Sequence, residues 1–145
     1  MKLVDNKNNA VLQRLITEWQ THGKIVLAVD FDDTLHPWKF KELNPNVVPL
    51  VKEAQTLGCY TVIWTACDES RYPKIHSVCS SLGIKVDGIN VVPLDLPYGK
   101  GRKIYYNLLL DDRAGLNEAC ELLHDAIQVI RTDKHLNKPI PSDAG

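Results

Sequence analysis

Three short, mainly apolar segments constrain the fold of this chain more than any other feature, because each is followed at once by a polar residue. The segments and the residues that follow them are 25–29 with Asp30, 60–64 with Thr65, and 106–110 with Asp111. Apolar runs of this length are typical of strands buried on both faces of a parallel sheet. We therefore predict three buried strands, each with a polar residue directly after its end.

Between these segments, apolar residues recur with the period of a helix. The predicted helices cover residues 10–22, 44–57, 68–82 and 116–130, and one or two short strand pieces are expected within 84–92. Residues 35–43 show no period and are predicted to form a short flap. Strands that alternate with helices predict an α/β fold, with a Rossmann-like, doubly wound, mainly parallel sheet and helices on both faces.

Length and composition predict one soluble domain. The chain has 145 residues, which we divide into a single domain over 1–131 and a loosely attached tail over 132–145. No stretch approaches the ~20 apolar residues of a membrane helix. The start lacks a secretory signal and the four cysteines form no zinc-binding pattern, so a cytoplasmic protein without membrane contact is expected. The net charge of −1 gives no overall attraction to nucleic acid.

The polar residues at the strand ends are expected to meet. In an open parallel sheet the carboxyl ends of the strands share one edge, and ligands bind there, where the strand order reverses. Asp30, Thr65 and the pair Asp111 and Asp112 all fall at such ends. One acid at a strand end is unremarkable, but an acid, a hydroxyl and an acid pair at three ends predict a functional site.

The residue types at the first strand end suit phosphoryl transfer. Asp30 and Asp32 lie two residues apart, and their repulsion is costly unless a cation neutralises them or one holds a proton. A divalent cation offsets the charge of a phosphate, and a protonated acid gives its proton to the leaving oxygen. Thr65, with backbone N–H groups of the turn at Ala66, offers donors to phosphate oxygens. Lys103 is favoured over Lys100 as the phosphate clamp because it lies closer to the third strand.

In chain order, the pattern Asp-x-Asp-x-Thr, then Thr, then Lys, then Asp-Asp resembles the four motifs of the haloacid dehalogenase superfamily. The resemblance covers roughly residues 25–115, and its first motif, residues 28–35, follows a buried strand. More narrowly, residues 64–67, 87–90 and 110–113 resemble small capless members found in bacteria and phages. One departure is Asp68, because that group more often has an arginine there.

The resemblance implies a role for each matching residue. Asp30 would attack phosphorus and form an aspartyl-phosphate. Asp32 would protonate the leaving group and then deprotonate the water that hydrolyses this intermediate. Thr65 and Lys103 would hold the phosphoryl oxygens. The acid at Asp32 favours a phosphatase, because dehalogenases release a halide that needs no proton and lack an acid at this position.

The resemblance also implies a magnesium site. Its ligands would be the carboxylates of Asp30 and Asp111 and the backbone carbonyl of Asp32. Asp112 and Asp33 are candidates for supporting positions beside the ion. Oxygen ligands without histidine or cysteine suit Mg²⁺ rather than Zn²⁺.

The segments between the motifs leave no room for a large cap domain, so the resemblance implies an open site. Such a site suits a phosphate on a small molecule or at the end of a macromolecule, and a neighbouring subunit in an oligomer is one way to cover it. Basic and aromatic residues cluster at its expected mouth, with Trp38, Lys100 and Arg113 as candidate substrate contacts and Lys39, Phe40, Lys41, Arg71, Tyr98 and Arg102 beside them. Rings beside positive charge suit a nucleotide or a nucleic-acid end, whereas a merely solvated basic face is an equally good explanation.

Three alternatives to the phosphatase stay open. A related enzyme would pass the phosphoryl group to an acceptor other than water. A catalytically silent module of the same fold would only bind phosphate. A receiver-type phosphoacceptor domain uses similar residues, but its acid pair comes first in the chain, whereas Asp111 and Asp112 come last.

Overall fold

A parallel sheet of four strands forms the centre of the protein, whose computed structural model describes residues 9–92 and 105–136. The strands are β1 (Val26–Asp30), β2 (Tyr60–Trp64), β3 (Gly88–Ile89) and β4 (Leu108–Leu110). Their spatial order is β3-β2-β1-β4, and every pairing is parallel. The chain moves from β1 towards one edge and later returns to the other side of β1, so the predicted α/β class with a Rossmann-like sheet is confirmed.

Four helices accompany the sheet, in the order predicted. They are α1 (Ala10–His22), α2 (Val47–Thr56), α3 (Tyr72–Leu82) and α4 (Leu116–Leu136), and a 3₁₀ turn over Glu69–Arg71 leads into α3. The connections from β1 to β2 and from β2 to β3 each hold one helix, so neither carries a cap domain. None of the helices within the described ranges is long and apolar enough to cross a membrane.

Three helix boundaries differ from the prediction by more than one residue. Helix α3 begins at Tyr72, after the 3₁₀ turn, rather than at 68. Helix α2 begins at Val47 rather than at 44, because the Asn44 side chain accepts a hydrogen bond from the Asn46 backbone N–H and forms a turn of its own (2.9 Å). Helix α4 continues to Leu136 rather than ending at 130, so it crosses the predicted boundary between domain and tail at 131. The rest of the predicted tail, residues 137–145, lies outside the described ranges.

The larger core cluster lies on one face of the sheet. All four helices contribute buried side chains to it, together with Leu27, Val29, Ile63 and Leu110 from the strands. The opposite face carries a smaller cluster of Val26 and Val62, against which Tyr60, Val92, Tyr105 and Tyr106 pack. Helices were predicted on both faces of the sheet. In the described parts of the chain, the helices contribute to the core on one face. The buried strands position their carboxyl ends rigidly, and the candidate site is at those ends.

Candidate functional site

The strand ends form one polar cavity, as predicted. Val29 of β1 pairs in register with Leu110 of β4. The next residues, Asp30 and Asp111, therefore lie side by side at the carboxyl ends of these neighbouring strands. This pair of strands is the point where the strand order reverses. The cavity has a volume of about 330 Å³ and is lined by Asp30, Asp32, Asp33, Trp38, Lys39, Trp64, Thr65, Ala66, Asp111, Asp112 and Arg113.

Three carboxylates converge at this edge of the sheet. One carboxylate oxygen from each of Asp30, Asp111 and Asp112 lies within 4.8 Å of the other two. The carboxylates of Asp30 and Asp111 thus lie close together, as predicted, and their role as metal ligands stays a prediction. Asp112 was expected only in a supporting position, but its carboxylate belongs to the cluster itself, because the chain turns directly after β4.

A tight turn after β1 brings the Thr34 hydroxyl back to this cluster. The Phe31 carbonyl accepts hydrogen bonds from the backbone N–H groups of Thr34, Leu35 and His36. The buried Thr34 hydroxyl donates to Asp30 Oδ2 at 3.1 Å and accepts from the Asp112 backbone N–H at 3.2 Å. Thr34 therefore fixes the loop after β4 against the carboxylate that ends β1.

The cluster opposes ionisation of Asp30. Burial, a hydrogen bond with the Asp112 carboxyl and the negative charge of Asp111 together raise the pKa of Asp30 from its usual 3.8 to about 7. The Thr34 hydroxyl acts in the opposite direction, because it donates to the ionised carboxylate. Like charges held this close are stabilised by a bound cation.

The donor set fits a hard divalent cation. The converging side chains offer oxygen atoms alone, which is the chemistry that Mg²⁺ and Ca²⁺ prefer. The predicted contribution of Asp32 is through its backbone carbonyl and stays a prediction. Its carboxylate is not one of the three that converge in the described residues.

The Asp32 carboxylate is instead bound by Arg71. Both of its oxygens accept hydrogen bonds from the guanidinium, at 2.8 and 3.0 Å. The guanidinium also lies over two aromatic rings, 4.9 Å from the centroid of Trp38 and 5.8 Å from that of Phe31. Arg71 thus connects the start of helix α3 to both the first motif and the flap.

Asp33 holds the flap rather than the cation cluster. Its Oδ1 accepts hydrogen bonds from the backbone N–H groups of Trp38, Lys39 and Phe40, at 2.9, 2.9 and 3.0 Å. Although desolvation raises the pKa of Asp33, these three bonds outweigh it and lower the pKa below its ordinary value. The backbone φ of 63° at Asp33 belongs to the left-handed region that aspartate tolerates better than most residues.

Thr65 lies at the cavity wall with its backbone held by Asn90. The Thr65 N–H donates to Asn90 Oδ1 at 2.9 Å, and the Asn90 side-chain amide donates to the Thr65 carbonyl at 2.7 Å. The Thr65 hydroxyl accepts from the Cys67 N–H and points its own proton towards Cys67 Sγ, each at 3.2 Å. Because sulfur is a weak acceptor, that proton is readily redirected to a phosphate oxygen. Ala66 lines the same cavity, and its role in phosphate binding stays a prediction.

The predicted cationic and aromatic residues divide into three groups. Phe40, Lys41 and Arg71 are described but do not line the cavity. Trp38, Lys39 and Arg113 line the cavity. Lys103, the predicted phosphate clamp, lies outside the described residues, and so do Lys100, Tyr98 and Arg102.

A conserved protein from Bacteroides thetaiotaomicron has a solved structure similar to this one. The TM-score is 0.56 at 20% sequence identity, and the match covers 70% of this chain and 91% of that chain. Neither a protein-family model nor a curated protein matches the chain. A likeness at this level of identity shows that the α/β fold is shared, and it carries no activity from one protein to the other.

Thr34, Trp64 and Asn90 had no predicted role at the site, and the pairing of Arg71 with Asp32 was not predicted. Thr34 is part of the first motif, and its place four residues after Asp30 was the signal that could have indicated it. Asn90 has a left-handed backbone (φ 56°) after the short strand β3. Residues 87–90 were named above only for their resemblance to the small capless members. Arg71 was expected at the mouth, but no local pattern indicated that it pairs with Asp32, which lies 39 residues earlier.

Proposed function

We propose that this protein is a Mg²⁺-dependent phosphomonoester hydrolase of the haloacid dehalogenase type. The observation that carries the proposal is the convergence of Asp30, Asp111 and Asp112 within 4.8 Å, beside Thr65, in a cavity large enough for a phosphate. A cluster of acids repels a phosphate unless a cation lies between them. The same arrangement with a cation would attract the phosphate and orient it towards Asp30.

Asp30 is the proposed nucleophile. One of its carboxylate oxygens forms a bond to phosphorus while the bond from phosphorus to the leaving oxygen breaks, and Asp32 gives the leaving oxygen a proton. A water molecule then attacks phosphorus, Asp32 takes its proton, and the phosphorus–oxygen bond to Asp30 breaks. Inorganic phosphate and the unchanged enzyme result.

A bound Mg²⁺ would be held by the carboxylates of Asp30, Asp111 and Asp112, and it supplies positive charge that offsets that of the phosphoryl group. Thr65 and the backbone N–H groups after it would bind the phosphoryl oxygens. Arg71 engages both oxygens of Asp32, so the acid role of Asp32 requires that this ion pair opens when substrate binds.

The proposal is tested by a screen of phosphomonoesters with and without Mg²⁺, on the wild type and on Asp30→Asn, Asp32→Asn and Asp111→Asn. We expect hydrolysis that depends on Mg²⁺, no activity of Asp30→Asn, and a loss on the order of 10²–10⁴-fold for Asp32→Asn. With an activated substrate, Asp32→Asn should accumulate phosphoenzyme, detectable as a mass increase on Asp30.

Glu69→Gln serves as the control, because this exposed acid lies in the 3₁₀ turn near the site but does not line the cavity. It should behave as the wild type. Folding of every variant is checked by circular dichroism. Hydrolysis that survives in folded Asp30→Asn would exclude Asp30 as the nucleophile, and a wild type inactive on all phosphomonoesters in Mg²⁺ would exclude the activity.

A further inference from the structure

Two exposed tryptophans line the same cavity as the carboxylate cluster. Of the three tryptophans in the chain, Trp19 is 1% exposed, as expected for a core residue, whereas Trp38 is 64% and Trp64 is 38% exposed. Keeping large aromatic surfaces in water is unfavourable, so exposed rings grouped at a cavity mark a surface that a ligand covers. Both rings belong to the cavity that Asp30 and Thr65 line.

The Trp38 ring is fixed in place although it is exposed. Its backbone N–H donates to Asp33, and the next two N–H groups of the flap donate to the same oxygen. The Arg71 guanidinium lies 4.9 Å from the ring centroid. A ring held at both its backbone and its π-system loses little conformational freedom when a ligand packs on it.

The spacing of Trp38 from the catalytic residues favours a ring joined to the phosphate through a spacer. Arg71 lies between Trp38 and Asp32, because its guanidinium contacts both. The guanidinium therefore separates the Trp38 ring from Asp32. A ring bonded directly to the leaving oxygen would stay beside Asp32 and would not reach Trp38. A base that is joined to the phosphate through a sugar would lie further from Asp32 and could reach the Trp38 ring.

Trp64 lies on a second wall of the cavity. It ends β2 and pairs in register with Asp30, so both side chains are on the same face of the sheet. Lys39 and Arg113 add positive charge to the lining. Rings and cations around a phosphate site are the combination that binds nucleotides, since bases stack on aromatic side chains.

We infer that Trp38 and Trp64 bind the base of a nucleotide, so that the substrate is a nucleoside phosphomonoester rather than a sugar phosphate or a simple alkyl phosphate. The inference rests on the proposed function for the position of the phosphate. The inference adds that the leaving group is a nucleoside, which the carboxylate cluster alone does not define.

The test compares a nucleoside 5′-monophosphate with ribose 5-phosphate, which is the same ester without the base. The wild type should have a kcat/KM for the nucleotide that is higher by on the order of tenfold to a hundredfold. Trp38→Ala and Trp64→Ala should each reduce this ratio by on the order of tenfold, and Trp38→Phe should reduce it less because it retains a ring. A 5′-phosphorylated oligonucleotide in the same assay distinguishes a chain end from a free nucleotide as the source of the base.

Phe40→Ala is the matched control, since Phe40 is an aromatic residue of the same flap that is 60% exposed and does not line the cavity. It should leave the ratio unchanged. An equal kcat/KM for ribose 5-phosphate and for both base-bearing substrates, with Mg²⁺-dependent hydrolysis of each, would overturn the inference and leave the proposed function standing.

Binding to Asp30→Asn provides a readout that does not require catalysis. Isothermal titration calorimetry in Mg²⁺ should give a Kd for the nucleoside 5′-monophosphate that is lower than for ribose 5-phosphate by on the order of tenfold. The Trp38→Ala change in the Asp30→Asn background should remove most of that difference. If the wild type hydrolyses no phosphomonoester, the proposed function fails, and equal or undetectable binding of the two ligands overturns the inference separately.

Discussion

Asp30 occupies an environment that disfavours its own charge. Its pKa is raised from 3.8 to about 7, first by burial and then by the neighbouring acids Asp112 and Asp111. A carboxyl group whose pKa is higher in the folded than in the unfolded chain stabilises the fold below pH 3.8, and this contribution is lost as the pH rises through about 7. Without a cation, the site therefore costs the protein stability at neutral and higher pH.

Replacing Asp30 should make the metal-free protein more stable. In the presence of a chelator at pH 8, Asp30→Asn is expected to raise the free energy of unfolding by on the order of 1–4 kcal/mol, because about 1.4 kcal/mol corresponds to one pKa unit. Near pH 3, which is below both the ordinary pKa of 3.8 and the raised pKa of about 7, Asp30 is largely neutral in both states and the difference should disappear. Urea unfolding at both pH values measures it, and a wild type at least as stable as the variant at pH 8 would contradict the expectation.

The flap is an element without regular secondary structure, and one side chain organises it. Three consecutive backbone N–H groups, from Trp38 to Phe40, donate to Asp33 Oδ1. Asp33 itself follows Asp32, so the loop that carries the proposed acid also positions the ring of Trp38. Arg71 reinforces this connection from helix α3.

Removing the Asp33 carboxylate should release the flap. In Asp33→Ala, amide hydrogen exchange at Trp38, Lys39 and Phe40 is expected to be faster by on the order of tenfold or more, because their acceptor is gone. Asp33→Asn is the matched control, since it retains an oxygen acceptor and also tolerates the left-handed backbone. Equal protection of these amides in Asp33→Ala and the wild type would show that other contacts hold the flap.

At the scale of the whole molecule, the site exists only in the folded chain. Asp30 ends β1, and Asp111 and Asp112 follow β4, with helices α2 and α3 and strands β2 and β3 between them in sequence. The parallel pairing of β1 with β4 brings these carboxylates together. A cation that binds them therefore binds the folded state in preference to the unfolded one.

Mg²⁺ should accordingly stabilise the entire protein. At a free concentration of one hundred times its Kd, binding to the folded state alone contributes about 2.7 kcal/mol. Since about 1 kcal/mol shifts Tm by roughly 2–4 °C for a chain of this size, thermal unfolding should move up by several degrees. Asp111→Asn should lose most of the shift and Glu69→Gln should retain it, whereas an equal shift in both variants would place the bound ion elsewhere.

The sequence by itself determined the elements and the edge of the sheet where the site lies. Buried strands and amphipathic helices follow from residues close together in the chain, so β1, β2 and the four helices were predictable, as was the position of Asp30 at a strand end. The end of helix α4 was missed, because the residues after 130 have little apolar content. Their contacts are polar and reach residues remote in sequence, as in the ion pair of Arg131 with Glu53 and the hydrogen bond from Lys134 to the Leu57 carbonyl.

Tertiary structure alone decided which side chains meet. The register of β1 with β4 and the turn around the Phe31 carbonyl bring Asp112 and Thr34 to Asp30. The pairing of Arg71 with Asp32 spans 39 residues and depends on how α3 packs against the first loop. Contacts of this kind depend on distances in space between segments remote in sequence, and no local pattern of residues encodes those distances.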